Sequence, residues 1–193
     1  MAKASNREKL LTEGLRVVHE RGFGGASVRD IVQAAGVPQG SFTNHFASKE
    51  AFCLEILDRY FEDTRAMLLR TLLNDSLAPL QRLRAYVDTT HKYLNRIGLR
   101  NGCLIGNFSA EASEHSEIIR RRIVAIFDEM QQAVAYCLSA GVKIGELPAT
   151  TECDELASFL VTSLQGAILR SKAERSAVPI ERYKHLVFST LLR

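Results

Sequence analysis

The stretch Ser27–Glu50, SVRDIVQAAGVPQGSFTNHFASKE, restricts the folds open to this chain more than any other. Ser27 and Asp30 form an S-x-x-D capping box, in which the hydroxyl accepts from the amide three residues on and the carboxylate answers the N–H of the cap. Val28, Ile31, Val32 and Ala35 follow at i, i+3, i+4 and i+7, one apolar helix face. Gly36 closes that face with a residue suited to the left-handed turn at a helix C-terminus. Pro38 suits the first position of a new helix. That second helix, expected from about Pro38 to His45, buries Phe42 and Phe46. Its other side carries Gln39, Gly40, Ser41, Thr43, Asn44 and His45, small or hydrogen-bonding residues with no carboxylate among them. Gly40 weakens the helix but lets the backbone approach another surface closely. Ser48 caps a third helix. Lys49, in its first turn, opposes the helix dipole, which makes sense where that helix end faces a phosphate. The spacing predicts two short helices joined by a tight turn, a unit that enters the major groove of DNA. A helical hairpin whose polar face only meets water is the plainer reading of the same pattern.

Composition narrows the setting. A chain of 193 residues holds one sizeable domain, or a small one beside a medium one, and 46% hydrophobic residues are ample for a core. No apolar run approaches the roughly 20 residues of a membrane span, and MAKASNREKLL lacks the apolar core of a signal peptide. A cytoplasmic protein with no membrane partner is the expectation. The net charge is only +3, so any basic footprint on nucleic acid is local. Residues 1–50 hold seven Lys/Arg against five acids, and Lys3 in the N-terminal tail is a candidate phosphate contact. Cys53, Cys103, Cys137 and Cys153 show no C-x-x-C spacing, and the five histidines form no ligand pair. No metal site, disulfide framework or cofactor is predicted, and the cysteines are expected as free thiols.

Along the chain the periodicity predicts an all-α protein of about nine helices, with no strand patterns or repeats. Leu11, Leu15 and Val18 face inward on a first helix from Arg7 to Arg21, closed by Gly22. One long helix runs from Ser48 to Leu73, about 39 Å at 1.5 Å per residue, and is a candidate lever between a regulatory core and a reading head. Further helices are expected from Pro79 to Arg96, from the Gly98–Gly102 turn to about Glu114, from Ser116 to Ser139, from Thr151 to Lys172 and from Pro179 to Leu192. Arg120-Arg121-Arg122 reads as a solvated face, because three consecutive helical residues point in different directions.

Gly22-Phe23, Ser27 to Ile31, Ala35-Gly36-Val37, Gly40-Ser41-Phe42, His45-Phe46 and Ser48-Lys49-Glu50 together resemble the DNA-binding domain of the TetR family of bacterial transcriptional regulators. The likeness runs in one register over about residues 7–61. It implies a helix-turn-helix DNA-binding domain at 1–50, a helical regulatory and dimerisation domain at 51–193, and a repressor that binds double-stranded palindromic operator DNA as a homodimer. It also implies that the two C-terminal helices, which on their own pattern simply close a core, meet their mates in a four-helix interface. Carried over residue by residue, the DNA-facing set is Ser27, Arg29, Gln39, Gly40, Ser41, Thr43, Asn44, His45 and Lys49. Within it Gln39, Thr43 and Asn44 are assigned to base edges, and Ser27, His45 and Lys49 to phosphates. Thr43 stands where the family usually has Tyr, and Gln39 where it often has a basic residue, so no operator sequence transfers.

Cys103 follows a glycine turn at the start of a helix, where the positive helix end and nearby Arg100 favour a thiolate. A small buried core residue is the ordinary alternative. Asn101-Gly102-Cys103-Leu104, with Ser109-Ala110-Glu111 and later Gln165-Gly166-Ala167 and Lys172, resembles a TetR subgroup that includes the repressor of N-ethylmaleimide reductase. The resemblance implies a small-molecule or electrophile effector sensed at Cys103 and Lys172, and Phe108 is added as pocket lining. Three other readings compete. One is the same regulator with a reversible inducer. Another is a helical protein-binding adaptor. The last is a cysteine enzyme, disfavoured because twelve residues of helix put His115 about 18 Å from Cys103.

Overall fold

The computed structural model describes residues 5–192, so Lys3 lies outside the described residues. Among these there are nine α-helices and no strand. They are α1 (Asn6–Gly25), α2 (Val28–Ala35), α3 (Ser41–His45), α4 (Lys49–Arg70), α5 (Pro79–Arg96), α6 (Leu104–Glu111), α7 (Glu117–Lys143), α8 (Cys153–Glu174) and α9 (Val178–Leu186), with a π-helical turn at Val187–Leu191. No helix among the described residues is long and apolar enough to cross a membrane. The all-helical expectation holds.

The chain divides into two compact units. The first holds the chain up to Glu62 together with Leu104–Val124, and the second holds Asp63–Cys103 and the chain from Ala125 onward. In the first unit, α1 packs against α2, α3 and α6. Ser5 caps α1 by accepting from the Glu8 amide at 3.2 Å. Gly22, at φ +78°, breaks its helical path near the expected place. A side chain there would be strained, since only glycine visits this region freely. The core is Leu10, Val18, Ile31, Phe52, Ile56 and Phe61, all fully buried. Ser116 caps α7, its hydroxyl accepting from Ile119 N at 3.2 Å and donating to the Glu50 carboxylate of α4. The Arg120–Arg122 run is not a free basic patch. Arg120 and Arg121 both pair with Glu117, whose pKa their hydrogen bonds hold down to about 2, and Arg122 pairs with Asp58.

In the second unit α9 packs on α8 and α5. Leu83, Val87, Ile126, Val134, Leu138, Leu160, Leu164 and Ile180 fill the interior. The buried Arg82 donates to the Leu77 carbonyl at 2.7 Å and pairs with Asp75, which also accepts from Tyr136 at 3.0 Å. Leu80 N donates to Glu146 at 2.9 Å, and Tyr183 donates to the Leu160 carbonyl at 3.0 Å.

Helix ends depart from expectation where tertiary structure outweighs local pattern. Residues Pro38–Gly40 form a turn, closed by Ser41 N donating to Pro38 O at 2.9 Å, so α3 starts three residues late and is only five long. The α7 helix runs past Ser139 to Lys143 before Gly145 at φ +77°. Cys103 stands directly before α6 and not inside it.

Gly14 sits mid-helix in α1, where a Cβ would overlap the ring of Phe52 and stand 3.2 Å from Ile31 Cγ2. Gly14→Ala gains helix propensity of about 1 kcal/mol but forces a buried ring to move, a cost of about 1–3 kcal/mol. Thermal denaturation is expected to show a net loss of stability, whereas Gly40→Ala, which meets open space, is expected to leave stability unchanged or raised.

Candidate functional site

The first unit builds its exposed surface from an aromatic wedge. Phe42 and Phe46 of the α3 region and Phe52 of α4 meet pairwise at centroid distances of 5.3, 5.2 and 4.9 Å. This pins α3 by its apolar side, leaving Thr43, Asn44 and His45 exposed beside exposed Gln39 and Gly40. Ahead of it, Ser27 caps α2, accepting from Asp30 N at 3.1 Å while Ser27 N donates to Asp30 at 3.0 Å. These hydrogen bonds from Ser27, and then the Arg21 guanidinium at 2.7 Å, hold the Asp30 carboxyl below its ordinary value. Gly36 then takes φ +60° and turns the chain into α3.

Not every residue of the expected set faces outward. Ser41 is buried and accepts from Asn6 Nδ2 at 3.3 Å, which ties α3 to the start of α1. The Ser27 hydroxyl is engaged in its cap. Lys49 reaches back into the protein: its ammonium donates to the Phe23 carbonyl and lies 4.8 Å from the centre of the Phe23 ring. Its place in a helix first turn is therefore accounted for by an internal partner. Arg29 is exposed and pairs with no carboxylate among the described residues.

In the second unit the Gly98–Gly102 segment turns sharply, with positive φ at Gly98, Leu99 and Gly102. Gly102 is buried, and the aliphatic stem of Lys172 lies across it, so that a Cβ at Gly102 would be 3.1 Å from Lys172 Cδ. Lys172 thus lies beside the residue that precedes Cys103, and Cys103 is half-buried. Tyr86 belongs to the same region. Burial first, then the nearby Tyr183 and Cys103, push its pKa up. Ser171 Oγ, beside Lys172 in sequence, and His91 Nε2 are both buried without a hydrogen-bond partner. Phe108 belongs to the first unit, fully buried and edge-on to Phe23 at 5.8 Å. Cys53 and Cys137 are buried, which pushes their thiols up to about 12 and about 11. Cys153 is half-buried at the head of α8. Among the described residues no group of His, Cys, Asp or Glu is placed to hold a metal ion.

A capped helix, a left-handed glycine turn and a short second helix with an exposed, carboxylate-free face make a helix-turn-helix head, the mark of a DNA-binding regulator. Residues 10–56 match the bacterial regulatory proteins of the tetR family, and residues 79–187 match the tetracyclin repressor-like C-terminal domain. The chain belongs to the TetR family. It is 40% identical to the HTH-type transcriptional repressor DhaR of Mycobacterium sp. (strain GP1), over 100% of this chain and 95% of that one. The HTH-type transcriptional repressor NemR of Escherichia coli (strain K12) is 32% identical over 91% of this chain and 88% of its own. A regulatory protein TetR from Rhodobacter sphaeroides superposes with a TM-score of 0.89 at 31% identity, covering 94% of this chain and 96% of that chain. The protein is a transcriptional regulator and not a cysteine enzyme, and regulators of this family bind operator DNA and act as dimers.

Burial sets the order of thiol reactivity. In the folded protein, N-ethylmaleimide at neutral pH is expected to label Cys103 and Cys153 and to spare Cys53 and Cys137 until denaturant is added. Peptide mass mapping after timed labelling checks this, and early labelling of Cys53 or Cys137 contradicts it.

Proposed function

We propose that the chain is a repressor that reads a palindromic operator as a homodimer and leaves it when an electrophile or oxidant modifies Cys103. Residues 1–50 serve as the DNA-binding part and residues 51–193 as the regulatory and dimerisation part. The observation that carries the DNA reading is the exposed strip of Gln39, Gly40, Thr43, Asn44 and His45 held by the buried aromatic wedge. Gln39, Thr43 and Asn44 are assigned to base edges, with Arg29 and His45 on phosphates. Ser27, Ser41 and Lys49, bonded within the protein, shape the surface that makes those contacts.

Support for dimerisation comes from apolar side chains that the single chain leaves exposed on its last elements: Phe159 and Leu169 of α8, Val178 and Leu186 of α9, and Leu191. A run of large exposed apolar residues of this kind marks an interaction surface. A second copy covering it also presents two heads to the two half-sites of a palindrome.

For the trigger, Cys103 is half-buried, like Cys153, where Cys53 and Cys137 are buried. Its thiolate adds across the maleimide double bond, forming one S–C bond while the adjacent carbon takes a proton from water. Such an adduct weakens operator binding only through its different stability in the bound and free forms of the protein. A reversible small-molecule inducer is the second reading, favoured by Ser171 Oγ and His91 Nε2, buried polar atoms without a protein partner. Such atoms are costly unless satisfied.

The deciding measurement is fluorescence anisotropy on DNA from upstream of the gene, before and after N-ethylmaleimide or hypochlorite, with Cys103→Ser alongside. Release of the wild type and retention of the variant are expected. Release of both assigns the trigger elsewhere, and release of neither supports the reversible inducer. In the same assay Asn44→Ala is expected to relax sequence preference and weaken the preferred site by about 1–3 kcal/mol, whereas Arg29→Ala weakens all duplexes alike.

A further inference from the structure

We propose that Glu111, the last residue of α6, is a positioning residue for DNA reading, acting as a latch on the turn at Gly22–Gly24 in the last residues of α1. The proposal rests on the DNA-binding function of the first unit. Within that unit the carboxylate of Glu111 occupies the space that a side chain at Gly22 would fill, so that any Cβ there would overlap both of its oxygens and Cδ. It also accepts from the Gly24 amide at 3.4 Å. Gly22, at φ +78°, therefore does two things: it breaks the helical path of α1, and it leaves a hollow for a carboxylate from a distant part of the chain.

The residues around this turn are held from three sides. Glu111 meets Gly22 and Gly24, Phe108 from the same helix packs edge-on against the Phe23 ring at 5.8 Å, and Lys49 binds the Phe23 carbonyl. Two of the three ties come from α6. The turn leads within three residues of Gly24 to Ser27, the cap of α2, and α2 packs on α3. Fixing Gly22–Gly24 thus fixes where α2 begins and what angle α3 presents.

The test uses the full-length protein with Glu111→Ala, which removes the latch, and Glu111→Gln, which keeps its length and an acceptor oxygen. The duplex is one selected by the wild type from a randomised pool, compared with a random duplex of equal length. Glu111→Ala is expected to lose about tenfold or more on the selected duplex, the scale of a lost hydrogen bond to a charged group. Its binding to the random duplex stays near wild type, and any fall in its thermal midpoint is repaired in Glu111→Gln. Glu111→Gln stays close to wild type on both duplexes. Amide exchange across Gly22–Gly25, measured without DNA, accelerates in Glu111→Ala and returns to the wild-type rate in Glu111→Gln.

Wild-type affinity and exchange in Glu111→Ala overturn the proposal. So does equal loss on both duplexes, or a fall in stability that Glu111→Gln does not repair, since either makes Glu111 merely structural. A wild type that selects no duplex removes the DNA-binding function itself, an outcome distinct from failure of the latch.

Discussion

Everything the DNA-reading surface can do depends on how a five-residue helix is held. A helix of that length has little stability of its own, because nucleation fixes several residues for very few hydrogen bonds. In this chain α3 is kept in place by contact, through Phe42, Phe46 and Phe52 meeting at 4.9–5.3 Å. Full burial of such a side chain contributes about 1.5–3 kcal/mol, and a good aromatic pair adds about 0.5–1.5 kcal/mol. The wedge therefore outweighs the weak propensity of the Pro38–Gly40 turn and α3 together. It also needs room, and Gly14 provides it by letting the Phe52 ring lie against the backbone of α1. Asn6 completes the seat by donating to buried Ser41.

That arrangement explains which parts of the molecule were legible in the sequence. The capping box at Ser27–Asp30, the left-handed Gly36, the break at Gly22, Pro79 at the head of α5 and the Ser116 cap are local devices, and local pattern located each of them. The long-range ties were not legible. At Gly14 the reason for a glycine is the Phe52 ring, which lies on another helix. Ser41 and Lys49 read as surface groups for DNA, yet their partners, Asn6 and the Phe23 carbonyl, lie on other segments. In sequence Glu111 stands out only as part of Ser109-Ala110-Glu111, and nothing near it points to Gly22. Thr43, Asn44 and His45 are exposed as helical spacing predicts, whereas Gln39 is exposed in the Pro38–Gly40 turn and Ser41, on the same predicted face, is buried.

The regulatory region shows the same division. The glycine turn before Cys103 was evident, and so were four cysteines without metal spacing. What separates the thiols is burial, a tertiary property. Cys137 lies near Arg82, a neighbour that favours a thiolate, yet desolvation dominates and its pKa goes up. Cys53 behaves alike despite Lys49. A nearby cation is thus a poor guide to thiol reactivity on its own, and accessibility is the better one. Cys103 and Cys153 are the two half-buried thiols.

Charge pairing limits how the head can bind. Arg7, Arg16, Arg21, Arg59 and Arg122 of the first unit all pair with carboxylates, so few of its cations are held out for phosphate. Exposed pairs of this kind contribute about 0–1 kcal/mol each, and a phosphate can compete for the arginines, but each exchange leaves a carboxylate beside the DNA. Counterion release, which supplies most non-specific affinity, is correspondingly small for one head. On the proposed assignment, binding leans on hydrogen bonds from Gln39, Thr43 and Asn44 to base edges, and these depend on the angle of α3. A weakly charged head gains less from mere proximity to DNA than from correct register. On the Glu111 proposal, small displacements at Gly22–Gly24 are well matched to switching it off.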